Sequence, residues 1–171
     1  MKKLSLFCGT TFLLTSYACA ANVVDSVGQV ASAKTNIPAT GVYFKLENYE
    51  SKKWIYSNSD GRFASYRGKN YNDQYWTIIP AIKEQYKGYF RLQNFQSKNG
   101  IYSNPYVFGS SAGDYPDQYW RIVEIPGKHS GYFKLENYDS KKWLSSTSKG
   151  SLADSDVADN DGNYWKFINR K

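Results

Sequence analysis

One phrase comes back three times in this chain, and that recurrence restricts its fold more than any other feature. Asp73-Gln74-Tyr75-Trp76-Thr77-Ile78 reappears as Asp117-Gln118-Tyr119-Trp120-Arg121-Ile122, and more loosely as Gly162-Asn163-Tyr164-Trp165-Lys166-Phe167. A second phrase precedes each copy: Tyr43-Phe44-Lys45-Leu46-Glu47-Asn48, Tyr89-Phe90-Arg91-Leu92-Gln93-Asn94 and Tyr132-Phe133-Lys134-Leu135-Glu136-Asn137. From phrase to tryptophan the distance is 33, 31 and 33 residues, and tryptophan follows tryptophan at 44 and 45. A fixed period of this size is the mark of a repeated structural unit. Three units are expected, at about 41–82, 87–126 and 130–171.

Within a unit the texture is β. Short alternating runs are broken by Asn, Ser, Asp and Gly every eight to twelve residues, and no window carries a helical stripe. Unit one reads as four strands: Tyr43 to Glu47, Trp54 to Ser57, Arg62 to Tyr66 and Tyr75 to Ile79. Alternation sends Phe44 and Leu46 to one face with Lys45 on the other, and sets Trp76 and Ile78 against Tyr75 and Thr77. Pro80 and Pro126 close the first two units, where a ladder donor is no longer needed. Three units of four strands are too few for a propeller. They suit a closed barrel with a hairpin cap, the β-trefoil, in which closure removes exposed sheet edges.

The chain ahead of the repeats reads differently. Lys2 and Lys3 precede an apolar run from Leu4 to Leu14, and Ala18-Cys19-Ala20 supplies small residues for a signal peptidase. The run is too short to span a bilayer permanently, so residues 1–20 are expected to be a signal peptide and the protein secreted, extracellular or periplasmic. A lipoprotein reading would lipidate Cys19, although Ser16 stands where such signals usually carry Leu. Residues 21–40 read as a linker or N-terminal arm, with disorder the simplest expectation. The only cysteines are Cys8 and Cys19, which leaves a mature chain without disulfide or thiol chemistry. The formal charge of +7 is interspersed with Asp and Glu. It favours modest attraction to acidic surfaces, anionic glycans included, and argues against nucleic acid.

Gln-x-Trp near the end of each of three units resembles the ricin B-type lectin family. Gln74-Tyr75-Trp76 and Gln118-Tyr119-Trp120 match the motif, and Asn163-Tyr164-Trp165 departs from it by one amide. The likeness covers residues 41 to 171 and implies a β-trefoil that binds carbohydrate. The first task of the motif is structural: Trp76, Trp120 and Trp165 are expected in the core, with Ile55, Ile101 and Leu144.

A sugar pocket in water needs an aromatic face for the C–H side of the ring and fixed polar groups for its hydroxyls. The resemblance implies a carboxylate after the core aliphatic of the second strand, an aromatic from the third strand or the turn after it, and polar residues beside Gln-x-Trp. The carboxylate position falls on Tyr56, Tyr102 and Ser145, none of them acidic. The aromatic position falls on Tyr66 and Phe108, with Asp154 in the third unit. The polar pairs are Asp73 with Gln74, Asp117 with Gln118, and Gly162 with Asn163. The first two units are therefore the better candidates for carbohydrate binding through Tyr56, Tyr66, Asp73, Gln74, Tyr102, Phe108, Asp117 and Gln118, with the two aspartates taking over hydroxyl recognition.

Trp54 and Trp143 align with Gly100, so the position is not deep core. A partly exposed Trp there could stack on a sugar, dock on a protein or pack against a loop. The acidic run Asp154 to Gly162 fits a solvated turn better than a Ca²⁺ loop, because no Glu closes it as in an EF-hand. His129 is expected at the surface of the connector between units two and three. No nucleophile motif is present, and no enzyme, cofactor or metal is expected. The partners implied are cell-surface glycans or glycoproteins, and a toxin subunit if the chain serves as a toxin's cell-binding component. No integral membrane segment is expected. The competing reading is a protein-interaction or inhibitor trefoil whose lectin pockets have degenerated.

Overall fold

A computed structural model describes residues 37–58, 63–66, 68–104, 106–110 and 113–170, with the backbone alone for 63–66, 104 and 106–110. The expected signal peptide and most of the expected arm lie outside these residues. At the arm's end Ile37 packs against the core and Pro38 is buried.

Among the described residues twelve strands run in four-strand units. Unit one holds β1 (Phe44–Asn48), β2 (Trp54–Ser57), β3 (Phe63–Tyr66) and β4 (Trp76–Pro80). Unit two holds β5 (Phe90–Asn94), β6 (Gly100–Asn104), β7 (Tyr106–Ser110) and β8 (Trp120–Glu124). Unit three holds β9 (Phe133–Asn137), β10 (Trp143–Ser146), β11 (Leu152–Ser155) and β12 (Trp165–Asn169). The first and last strands of unit one begin one residue later than alternation alone suggests. β4 runs onto Pro80 itself, which pairs with Phe90 in the register.

All pairings are antiparallel. β1 pairs β4, β4 pairs β5, β5 pairs β8, β8 pairs β9, β9 pairs β12, and β12 returns to β1. This closed six-stranded ring leaves its strands no free edge. The hairpins β2/β3, β6/β7 and β10/β11 hang from β1, β5 and β9, and β3, β7 and β11 meet one another as a cap. The fold is the β-trefoil.

The core follows the repeat. Leu46, Leu92 and Leu135 are fully buried, as are Ile55, Ile101 and Leu144 and the three tryptophans Trp76, Trp120 and Trp165. Each indole N–H also has a fixed partner: Trp76 Nε1 donates to Ile55 O at 3.0 Å, Trp120 Nε1 to Ile101 O at 2.9 Å, and Trp165 Nε1 to Leu144 O at 2.8 Å. Each motif tryptophan thus fills the core and pins the first hairpin strand of its own unit.

A matching device joins one unit to the next. The asparagine that ends each first phrase is fully buried. Asn94 Nδ2 donates to Asp73 O at 2.6 Å and Tyr75 O at 3.3 Å, while its Oδ1 accepts from Gln96 N and Ser97 N, both at 3.0 Å. Asn137 does the same for Asp117 O and Tyr119 O, and Asn48 for Gly162 O and Tyr164 O. Each therefore closes its own turn and clasps the preceding unit's Gln-x-Trp segment. The turns hold Lys52, Lys98 and Lys141 at positive φ of 56°, 61° and 59°.

Candidate functional site

The segment before each motif tryptophan falls between the strands that alternation suggests. Here it is a single 3-10 turn: Asn72–Gln74, Pro116–Gln118 and Asp161–Asn163. Each lies against the first hairpin strand of its unit, the strand that carries Tyr56, Tyr102 or Ser145.

In unit two, Tyr102 is half-buried on β6 and Asp117 half-buried on its turn. Burial pushes the Tyr102 phenol up, and the nearby Asp117 carboxylate pushes it further. Burial likewise holds the Asp117 carboxyl above the ordinary carboxylate range, reinforced by the charge of Asp139. Asp117 Oδ1 is buried and accepts no hydrogen bond from any described residue; Asp73 Oδ1 in unit one is in the same state. Burial raises Asp73 too, against its own backbone hydrogen bond and the charge of Lys45, which lower it. Tyr56 is half-buried on β2. Unit two thus sets Tyr102 near Asp117, and unit one carries Tyr56 on the strand against which the turn of Asp73 lies.

The motif amides work underneath. Gln74 is 1% exposed and its Oε1 accepts from Lys45 Nζ at 2.7 Å and from Tyr71 N at 3.4 Å. Gln118 is 2% exposed. These two amides lie below the surface on which Tyr56, Tyr102 and the aspartates sit.

The register corrects one alignment. Tyr66, Phe108 and Asp154 do not occupy one repeated position: Tyr66 pairs with Trp54, Phe108 with Tyr102, and Asp154 with Leu144. Short hairpins of unequal loop length slide against the repeat, and a one-residue slip changes the face. The side chains of Tyr66 and Phe108 lie outside the described residues; their backbones place Phe108, and not Tyr66, opposite the candidate strand tyrosine.

The third unit is closed. Gly162 stands where Asp73 and Asp117 stand, and a Cβ there would lie 2.5 Å from Ser146 O and 2.9 Å from Ser145 Oγ. No side chain fits, so the turn packs directly on β10. The acidic run is an exposed turn from Asp156 to Asp161, and Asp154 alone departs from that expectation. Asp154 lies half-buried within β11, accepting from Ser103 Oγ at 2.6 Å, and burial raises its carboxyl. Asp159 accepts from the Tyr164 hydroxyl, and Asn160 caps the turn through Gly162 N at 2.8 Å. Among the described residues no group of His, Cys, Asp or Glu is gathered to hold a metal.

His129 is likewise not a surface residue. It is 8% exposed, edge-on to Tyr49 at 4.8 Å and tilted against Tyr164 at 4.7 Å. In the preceding seam Tyr86 fills the corresponding place, stacked on Tyr119 at 4.0 Å and edge-on to Tyr138 at 4.8 Å. Arg170 fills it in the remaining seam, 4.8 Å over Tyr75 and 5.3 Å over Phe95. His129 is a seam-filling ring.

Trp54 and Trp143 are half-buried and each carries an ammonium. Lys45 Nζ lies 3.7 Å from the Trp54 ring, and Lys134 Nζ 4.6 Å from Trp143. Trp54 Nε1 also donates to Glu47 Oε2 at 3.1 Å. Sequence reasoning passed over Lys45, and the signal was present: Lys45, Arg91 and Lys134 recur in register, always two residues before the buried asparagine's neighbour Glu or Gln.

No protein-family model matches the chain, and no curated protein matches it. Solved structures do. The chain is similar to a structure titled BEL beta-trefoil (22% identity over 78% of this chain and 97% of that one, TM-score 0.70). It is similar to SeviL bound to asialo-GM1 saccharide (20%, 76% and 98%, TM-score 0.65). It also matches part of a mosquitocidal holotoxin (16%, 78% and 18%, TM-score 0.66). These likenesses establish the β-trefoil fold. No helix among the described residues is long and apolar enough to cross a membrane.

Proposed function

We propose that the protein is a carbohydrate-binding β-trefoil whose neutral-sugar pockets lie in units one and two, at Tyr56 with Asp73 and at Tyr102 with Asp117. The observation that carries this reading is the repeated half-buried aspartate on a turn that lies against the hairpin strand bearing Tyr56 in unit one and Tyr102 in unit two. Such an arrangement offers an aromatic face and a half-exposed carboxylate as acceptor for sugar hydroxyls. The similarity to SeviL, solved with the asialo-GM1 saccharide, supports the same reading. Lys2, Lys3 and the apolar run after them support export, and the likeness to part of a holotoxin supports a role as the cell-binding subunit of a toxin. No catalytic task is assigned to the domain.

The test is binding of the protein to a broad glycan array, with free-sugar competition on each hit. Tyr102→Ala and Asp117→Ala should each abolish the part of the signal carried by unit two, and Tyr56→Ala and Asp73→Ala the remainder. A well-folded protein that stays silent, or whose signal ignores free sugar and all four replacements, refutes the reading and points to a protein-docking surface.

A further inference from the structure

Beside the unit-one site, and sharing none of Tyr56, Asp73 or Gln74, a cavity of about 220 Å³ opens in the seam between units three and one. Its walls are Lys45, Trp54, Asn70, Tyr75, Ile168 and Asn169. Drug-sized pockets run to about 300–1,000 Å³, so this one suits a single ring. Two aromatic rings, two carboxamides and one ammonium converge on it, with no carboxylate among its walls.

Lys45 is the unusual wall. It is 4% exposed, and Nζ donates to Asn70 Oδ1 at 2.6 Å and Gln74 Oε1 at 2.7 Å. The third N–H meets no oxygen of the described residues. The charge itself is met by ring faces, Trp54 at 3.7 Å and Tyr75 at 5.2 Å. Among the described residues no carboxylate comes within ion-pair distance, and Asp73 acts on Lys45 only at longer range. Burial accordingly pushes the Lys45 ammonium down. A buried cation held by neutral amides is costly unless something else compensates it.

The other two seams supply their own anion. Asn70, Asp114 and Asp159 each stand six residues before the motif tryptophan. In the second seam Asp114 pairs with Lys83 at 2.7 Å, and Arg91 spends Nη1 on Gly113 O at 2.7 Å. In the third, Asp159 and Asp161 line the cavity with Lys128 and Lys134, and Lys134 Nζ donates to Ala158 O at 3.0 Å. The first seam keeps the cation and replaces the acid with a neutral amide.

We infer that the first seam binds a carboxylate-bearing sugar, a uronic or sialic acid, with its carboxylate on Lys45, its ring against Trp54 and Tyr75, and its hydroxyls on Asn70 and Asn169. This rests on the carbohydrate-binding reading and gives it a second, charge-selective site. An ammonium-to-carboxylate hydrogen bond is among the stronger polar contacts, and the ring faces take the apolar side of the sugar.

The test titrates the full chain with methyl β-D-glucuronide and, separately, N-acetylneuraminic acid, using methyl β-D-glucoside as the neutral control and protein-observed NMR as the readout. At least one acidic sugar should shift resonances around Trp54 and bind more tightly than the glucoside; which one does so distinguishes a uronic from a sialic source. Asn70→Asp keeps an acceptor for Lys45 at an exposed position while restoring the acid of the other seams, and should weaken acidic-sugar binding by roughly tenfold or more. Lys45→Met should abolish it, and Asn70→Asp covers the case in which that variant fails to fold. Acidic sugars that bind no better than the glucoside, or equally to wild type and Asn70→Asp, overturn the inference. Tyr102-dependent binding of neutral glycans would then still stand. Acidic-sugar binding sensitive to Asn70→Asp beside a neutral array that is silent would instead remove the unit-one and unit-two pockets and leave this site.

Discussion

Replacing Asn94 with alanine should loosen the joint between the first and second units. The side chain is fully buried and makes four hydrogen bonds to backbone groups on two segments. Tyr75 O keeps a second donor, Phe95 N at 2.7 Å, so its loss is small. Asp73 O, Gln96 N and Ser97 N lose the partner described here, and the two amides lie in a turn that water can reach. An orphaned buried group costs about 1–3 kcal/mol. Adding the partly hydrated amides brings the expected loss to about 2–4 kcal/mol, a large share of the roughly 5–15 kcal/mol of a whole domain. With a urea dependence of about 1–3 kcal/mol per molar, the midpoint should fall by about 1–2 M at unchanged slope. Gln93→Ala, one residue earlier, removes only an exposed contact to Lys98 O at 3.2 Å and should stay within about 0.5 kcal/mol of wild type. Equal midpoints for the two variants would refute the clasp.

Two further outcomes follow from the core and the cap. Trp120→Phe removes the donor to Ile101 O and part of a fully buried ring, which should cost about 2–3 kcal/mol and lower Tm by roughly 6–12 °C; an unchanged Tm in calorimetry would contradict the pinning role. Asp154 has its carboxyl held above the ordinary 3.8 by burial, so the folded state favours the protonated acid, and stability is lost as pH rises from near 3.8 through the raised value. Asp154→Asn lacks that loss. Its stability relative to wild type should therefore climb across this window and level off above it. A difference that is flat or falls with pH in denaturation series would reject the assignment.

Much of this fold was legible because the repeat is written in residues with one physical job each. The motif tryptophans Trp76, Trp120 and Trp165 and the aliphatics after Trp54, Gly100 and Trp143 are all fully buried, and an alternating pattern has few other ways to hide them. The sites were less legible, since they depend on register and on contacts between units. A three-way alignment by sequence put Tyr66, Phe108 and Asp154 at one position, whereas the ladders put them opposite Trp54, Tyr102 and Leu144. His129 reads as a loop residue in sequence because its partners, Tyr49 and Tyr164, are far away along the chain. The asparagine clasp was visible as a letter in the first phrase, but its role needs the neighbouring unit.

The pseudo-threefold symmetry itself separates architecture from recognition. Where all three units agree, as at the tryptophans, the leucines and the asparagine clasps, the shared residue is buried and closes the barrel. A fold constraint acts on every unit equally, so it yields the same answer three times. A ligand makes no such demand, and departures from the threefold pattern gather at the outer seams and turns. Glycine closes the third turn where aspartate opens the other two. Glycine replaces tryptophan at position 100 only in the seam whose cation is Arg91, already spent on Gly113 O. Asparagine replaces aspartate at position 70 only in the seam where Lys45 is buried without an ion pair among the described residues. These three departures coincide with one filled turn, one neutralised seam and one seam left charged, which is the distribution expected if the repeats have taken on different binding tasks over a common barrel.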